Sequence, residues 1–324
     1  MCTAICFNAD SFYFGRTLDY EHTFGESIVI TPRNFALQFA DVGSMDKHYA
    51  IIGMAHIADN YPLYYDALNE KGLCIAALNF VGNAHYRENK PHKDNIAHYE
   101  LILWLLGQCA SVSEAKEKLK KINITNRTFS PELPKAELHW LIADKTQAIT
   151  LESTKDGIFI YDNPVGALTN NPPFSEQLFN LNNYMHLSPK PPKNNFSKSL
   201  DLTPYSRGMG ALGLPGDLSS GSRFVRAAFT KLNSVPFSHE NATVSQFFHI
   251  LDGVSHTRGC CDVGNENFEI TQYTSCCDAG KGIYYYTTYQ NRQISAVNMH
   301  RENLNGADLI FYPLIQTEQI YMQN

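Results

Sequence analysis

Positive charge is in short supply in this sequence. The 324-residue chain sets 26 Lys and Arg against 32 Asp and Glu, a formal net charge of −6. That balance argues against a nucleic-acid partner, which wants a basic face, and against a polybasic membrane patch. Long apolar runs are missing too. The longest, "LILWLLGQCA" from Leu101, is far short of the ~20 residues a bilayer span needs and reads as a buried helix. The first residues have neither a basic n-region nor an apolar h-region, so the expected location is cytoplasmic. In that setting the eight cysteines are expected to be reduced thiols, and the sequons at Asn123, Asn126 and Asn241 carry no weight.

Several motifs are absent as well. The 12 histidines show no H-E-x-x-H spacing, and no G-x-S-x-G elbow occurs. "RGMGALGLPGD" is Gly-rich but follows no predicted strand, so it is not read as a phosphate cradle. Four cysteines fall in the adjacent pairs "GCCD" (Cys260, Cys261) and "SCCD" (Cys276, Cys277) without the C-x2-C spacing of a zinc site. Burial as small hydrophobes is the expectation for them. No metal and no organic cofactor is expected.

Strand-forming sequence fills both ends of the chain. "CTAICF" and "FYFGRTLDY" flank the turn-like "NADS" and predict an N-terminal hairpin. "SIVITP", "YAIIGMAH" and "YYDALNEKGLCIAALNF" continue the pattern, with "NEKG" as a turn. A buried helix is predicted over "NIAHYELILWLLGQCA", then an amphipathic one over "SVSEAKEKLKKI", capped by Ser111 or Ser113. Strands resume in "ELHWLIAD", "AITLEST" and "GIFIYDN". The stretch from Pro172 to about Ser222 reads as irregular, and helices return in "SRFVRAAFTKL" and "TVSQFFHILDGV". "FEITQYTSCC", "GIYYYTTYQ" and "QISAVNM" predict a closing antiparallel meander. With no regular βαβ alternation, the pattern points to an α+β fold of two antiparallel sheets under helix layers. No linker divides it, so residues 1–324 are expected to form a single domain.

Cys2 is the leading candidate for chemistry. Met1 is readily removed before a small residue, which would give Cys2 a free α-amine. An α-amine titrates at about 8 and a thiol at about 8.5, so one residue would hold both nucleophile and base. Pairing of residues 2–8 with 12–19 would bring Arg16 and Asp19 beside it. Arg16 would favour the thiolate, and Asp19 would hold the ammonium or thiol. The plain alternative is a surface ion pair on an edge strand.

"MCTAI", "FGRTLDY", "ITPRN", "NEKGLCIAALNF", "DNPVGALTNNPPFSEQLFNLNNY", "GLPGDLSSGSRFVRAAF" and "KGIYYYTTYQNRQISAVNM" occur in this order from residue 2 to about 299. Together they resemble the choloylglycine hydrolase family of conjugated bile acid hydrolases and penicillin V acylases. The resemblance implies an N-terminal-nucleophile hydrolase fold, a four-layer αββα sandwich. It implies Cys2 as nucleophile, with Arg16 and Asp19 flanking the thiol. Asn79 matches the position whose backbone amide serves the oxyanion hole, Asn170 the side-chain oxyanion donor, and Arg223 the second catalytic arginine. The residues alone leave Asn170 and Asn171 as turn residues before Pro172, and leave Arg223 as a helix-start arginine reaching solvent.

Within that family the position of Asn79 often carries Asn in bile acid hydrolases and Tyr in penicillin acylases. The implied substrate is therefore a glycine- or taurine-conjugated bile acid, a small molecule. Penicillin V and N-acyl homoserine lactones are the rival substrates. A thiol-based metal or redox module is the rival of another class. An apolar cleft is needed for a sterol, and Tyr20, Phe24, Ile57, Tyr61 and Phe129 to Leu138 are the candidate lining. A homotetramer is implied, with the Pro- and Lys-rich segment from Tyr184 to Pro204 as a subunit contact.

Overall fold

The opening hairpin forms around the predicted turn. In a computed structural model describing residues 1–324, β1 (Cys2–Asn8) pairs with β2 (Phe12–Tyr20), Cys2 opposite Leu18 and Ala4 opposite Arg16. β2 next pairs with Ile270–Asp278, from which Ile283–Thr288 and Asn291–Asn298 follow as an antiparallel meander. Ala167–Leu168 covers the outer edge of β1 and completes a six-stranded sheet. Gly15 is required inside β2, because a side chain there would collide with the Ser275 carbonyl of the neighbouring strand.

The second sheet has eight strands, each antiparallel to its neighbours. Across it run Gly157–Asp162, Ala148–Thr154, Leu138–Ala143, Cys74–Asn79, Tyr61–Asn69, Ile51–Ala58, β3 (Ser27–Thr31) and Ile310–Pro313. Its strands are apolar on both faces and sort by parity. Ile28, Ile30, Cys74, Ala76, Leu78, Leu141 and Ala143 join the core shared with the six-stranded sheet. Val29, Ile75, Ala77, Trp140 and Ile142 join a second core on the far side.

That second core is closed by α1 (Leu101–Gln108) and α2 (Val112–Leu119). The outer face of the six-stranded sheet is covered by α4 (Ser220–Asn233) and α5 (Glu240–Asp252), while α3 (Phe174–Asn180) packs its Phe174 beside Phe224 of α4 and Tyr161. The layer order is helix, sheet, sheet, helix, as expected. Each fully buried Leu, Ile or Phe contributes roughly 1.5–3 kcal/mol. A polar bridge also joins the sheets. Buried Asp66 accepts hydrogen bonds from Tyr273 Oη (2.6 Å), Tyr284 Oη (2.7 Å) and Ser275 Oγ (2.9 Å). Burial pushes the Asp66 carboxyl up, against the pull of Arg16 and the hydroxyl donors.

Four local expectations are corrected. The buried helix is shorter than its apolar run, because Asp94–Ala97 is a strand beside Ile122–Thr125 and the Glu100 carboxylate accepts from the Ala97 and Ala40 amides just before α1. The segment after Pro172 is not wholly irregular, since α3 forms there. Ile310–Pro313 adds an edge strand that the sequence reading omitted. Cys276 and Cys277 are both buried as expected, but Cys260 is exposed and Cys261 half-buried, because they sit in a loop rather than a strand. Between the two candidate caps of α2, Ser111 is the residue that accepts, from the Glu114 amide.

Candidate active site

Cys2 heads β1 and is 2% exposed. Strand order sets its surroundings, because β1 lies between β2 and the edge strand that leads into Asn170. Four chain segments converge on it: the end of β2, the end of the strand Cys74–Asn79, the Thr169–Asn170 turn and the first turn of α4.

Arg16 projects from β2 across the gap between the sheets. Its Nη1 donates to the carbonyls of Tyr65 (3.3 Å) and Ala77 on the opposite sheet, and its Nε to the Thr17 carbonyl at 3.1 Å. Its Nη2 is buried without a protein acceptor. Burial alone would weaken this charge. Cys2, Tyr273, Asp66 and Asp19 more than offset that and hold the guanidinium protonated. Asp19 is fully buried, with Oδ1 accepting from Thr271 Oγ1 (2.6 Å) and Oδ2 from Thr17 Oγ1 (3.0 Å). Both hydroxyls stand on the paired strands β2 and Ile270–Asp278, so the carboxylate is locked by sheet register.

Arg223 does not reach solvent. It lies in the first turn of α4, fully buried, below the Ser219 cap. Its Nη1 donates to the Cys2 carbonyl (2.6 Å) and Thr3 Oγ1 (2.7 Å), its Nη2 to Asn170 Oδ1 (2.7 Å) and its Nε to the Leu218 carbonyl (2.9 Å). Its nearest carboxylate oxygen, Asp19 Oδ2, is 4.0 Å from Nη1. Burial lowers the Arg223 pKa, with Asp19 and Cys2 opposing.

Asn170 and Asn171 part company. Asn171 is exposed, donating to the Val81 carbonyl. Asn170 turns inward: its Oδ1 accepts from Cys2 N at 2.9 Å and its Nδ2 donates to the Asn79 carbonyl at 2.7 Å. The second Nδ2 proton has no protein acceptor. Phe80 N–H donates to the Glu137 carbonyl, which makes Asn79 and Leu138 a non-hydrogen-bonded pair. The Asn79 N–H and C=O therefore share the edge of the strand that faces Asn170.

The Met1 ammonium pairs with the Glu269 carboxylate and donates to the Asp19 carbonyl. Burial lowers its pKa, as Cys2 and Asp19 resist. His256 packs beside it, with Nε2 at 4.0 Å from Asp19 Oδ2; burial drives its pKa down to about 4 despite Asp19. Sequence reasoning missed Thr271, His256 and Glu269. "VSHTRG" and "FEITQYT" carry no motif that sets these residues apart.

From Cys2 a cavity of about 510 Å³ opens between the sheet ends and the loops. Cys2, Arg16 and Asn79 lie at its base, and Tyr20, Phe24, Phe129 and Leu138 line it. Ile57 and Tyr61 do not. His56 faces the cavity, so its strand neighbour Ile57 faces the other side. Tyr61 sits behind the lining, 5.6 Å from the Phe129 ring and 6.2 Å from Tyr99. Leu18, Leu63, Tyr65 and Ile102 line it in addition, and none of them stood out in the sequence.

Two antiparallel sheets between helix layers, with a cysteine heading the first strand, define the N-terminal-nucleophile hydrolase fold. The model of the linear amide C–N hydrolases, choloylglycine hydrolase family, matches residues 2–312, and the chain belongs to that family. It is 56% identical to the bile salt hydrolase/transferase of Lactiplantibacillus plantarum over the whole of both chains. A variant of conjugated bile acid hydrolase from Clostridium perfringens superposes with a TM-score of 0.92, at 38% identity and full coverage of both chains. Penicillin V acylase from Agrobacterium tumefaciens shares the fold, with a TM-score of 0.74 at 20% identity, over 96% of this chain and 91% of that one.

Proposed function

We propose that the chain is a bile salt hydrolase that cleaves the amide of glycine- or taurine-conjugated bile acids through a Cys2 thioester. The observation that carries this reading is the position of Cys2 at the base of a largely apolar cavity, with Asn170, Arg16 and Arg223 packed around it. The cavity is of the size that encloses a drug-sized apolar ligand. The names of the relatives, and asparagine at position 79, favour bile acids over phenoxyacetyl penicillins.

Removal of Met1 turns the Cys2 nitrogen into an α-amine. The Cys2 thiolate attacks the acyl carbonyl, with Arg16 supplying fixed positive charge. Negative charge grows on the carbonyl oxygen and is met by the free Asn170 Nδ2 proton and the Asn79 N–H, donors already in place. The C–N bond breaks as the Cys2 ammonium gives a proton to the leaving amine. Water then attacks the thioester, the amine takes its proton, and the C–S bond breaks to release the bile acid. Asp19, held by two hydroxyls, orients the amine, and Arg223 fixes Asn170 and the Cys2 carbonyl.

The same reading has residues 1–324 acting as one domain in the cytoplasm, as a homotetramer. Phe196, at 82% exposed, with Leu200 and Leu202, shows apolar surface in the segment Tyr184–Pro204 that would form a subunit contact. Light scattering would test the assembly. The deciding assay compares amino-acid release from glycocholate and taurocholate with cleavage of penicillin V, alongside Cys2→Ala. Faster turnover of penicillin V than of either conjugate overturns the substrate, and activity retained in Cys2→Ala overturns the mechanism.

A further inference from the structure

Behind the N-terminal residue lies a group of side chains that the amide chemistry does not use. His256 is 1% exposed, and neither ring nitrogen has a hydrogen-bond partner. Glu269 is 5% exposed. Its Oε1 has no hydrogen bond and pairs only with the Met1 ammonium; its Oε2 lies 3.6 Å from Cys261 Sγ. One ligating atom from each of His256, Cys261 and Glu269 falls within 4.8 Å of the others. A buried imidazole with two idle nitrogens is costly unless something pairs with it. If Met1 is removed, as the proposed mechanism requires, the buried Glu269 carboxylate loses its cation as well.

We propose that His256, Cys261 and Glu269 form a site for one borderline-soft divalent cation, zinc by its donor chemistry, and that its occupancy inhibits the hydrolase. One nitrogen, one sulfur and one oxygen donor suit zinc. Tetrahedral zinc places its ligand atoms ~3.3–3.8 Å apart, so the three must close by ~1 Å. Cys261 allows this, being half-buried in a loop ahead of the small hairpin Asp262–Phe268. The Cys2 nitrogen is one residue from the Met1 nitrogen, a reach of at most ~3.6 Å. Once Met1 leaves, the Cys2 α-amine would be the nearest free nitrogen to offer as a fourth ligand, giving up its bond to Asn170 Oδ1. Ligation would tie up the lone pair that must accept and return the proton during turnover, leaving the thiol and oxyanion donors intact.

The test uses zinc and cobalt(II) alone on protein whose Met1 loss is verified by intact mass. In Cys2→Ala, which lacks the reactive thiol and keeps an α-amine, zinc should bind one per chain. Cobalt(II) should give the visible bands of a tetrahedral site with sulfur-to-metal charge transfer. Adding Cys261→Ser should weaken binding at least tenfold and remove the charge-transfer band, while Cys260→Ser should change neither. In the Cys2 enzyme, zinc should inhibit amide cleavage, and Cys261→Ser should resist at least tenfold more. Equal inhibition of the Cys261→Ser enzyme, or equal cobalt spectra with and without Cys261, overturns the proposal. The cobalt spectra do not depend on turnover, so failure of the amidase reading would register separately.

Discussion

Asn170→Ala removes one side chain that does three jobs, and the structure sets the size of each loss. In the proposed mechanism the oxyanion donor disappears, for which a fall of roughly 10²–10³ in kcat is expected. That interaction exists only in the transition state, so kcat and kcat/KM should fall together and KM should hold. The truncation also strands buried groups. Arg223 Nη2 loses its only acceptor, and the Cys2 nitrogen and Asn79 carbonyl each lose a partner. Arg223 keeps its bonds to the Cys2 carbonyl and Thr3. The stability cost should then be roughly 2–4 kcal/mol rather than the sum of three orphaned groups. For a chain of 324 residues that is a fall of ~3–6 °C in Tm. Asn170→Asp separates the two effects. It keeps the acceptor for Arg223 and Cys2 but removes the donor and sets a carboxylate oxygen against the Asn79 carbonyl, so kcat should stay low while Tm recovers only in part. The assay is glycine release from glycocholate, with calorimetry on the same samples and Met1 loss checked by mass. A folded, Met1-free Asn170→Ala enzyme with kcat within fivefold of the parent would refute the donor role.

Other outcomes follow from neighbouring features. A glutamate inserted between Met1 and Cys2 should block exposure of the α-amine and abolish turnover, checked by intact mass and the same assay; an active uncleaved chain would remove the amine from the mechanism. His139 is buried, stacked on Phe80 at 4.4 Å, 3.1 Å from Glu152 and 2.8 Å from the Thr169 carbonyl beside Asn170. His139→Ala should cost roughly 2–4 kcal/mol in urea unfolding by leaving a cavity and leaving buried Glu152 with the Phe174 amide as its remaining partner, and should lower kcat by loosening Asn170. The pKa of His98 is driven down to about 4 by burial, then by Lys135. A depressed histidine contributes stability above its unfolded pKa near 6.5 that is lost as pH falls toward 4. His98→Gln should therefore narrow the drop in unfolding free energy between pH 7 and pH 4.5 by up to about 3 kcal/mol, measured by urea titration at both values.

The hairpin was legible because a turn cluster separates two apolar β-branched runs, and the meander because its strands lie close in sequence. The predicted helix overshoots α1 because the Asp94–Ala97 strand and the Glu100 turn run into the apolar helix with no Gly or Pro to mark the boundary. Periodicity cannot separate short buried strands from buried helix. Of the five residues expected around Cys2, Arg16 and Asp19 follow from the hairpin pairing, whereas Asn79, Asn170 and Arg223 follow only from ordered motifs, since no spacing rule links position 2 to position 223. Ile57 was chosen for its place near a loop, whereas strand parity gives the cavity to His56. His256, Cys261 and Glu269 lie at irregular spacing within residues 256–269, where the Asp262–Phe268 hairpin and the Glu269 N–H to Cys261 carbonyl bond bring them together, and pairing of Ile270–Asp278 with β2 sets them behind Met1.

Arg16 is rooted in one sheet and hydrogen-bonded to carbonyls of the other. It works as a gauge of the distance between them. In the proposed mechanism the thiol's charge partner is therefore held by the spacing of both sheets rather than by a loop. In the proposed reading the loops around the cavity mouth, with Phe24 and Phe129, would share the substrate contacts with strand residues and carry none of this load. They are free to diverge, and preference for one acyl group or amino acid over another can change without retuning the bond-breaking machinery beneath.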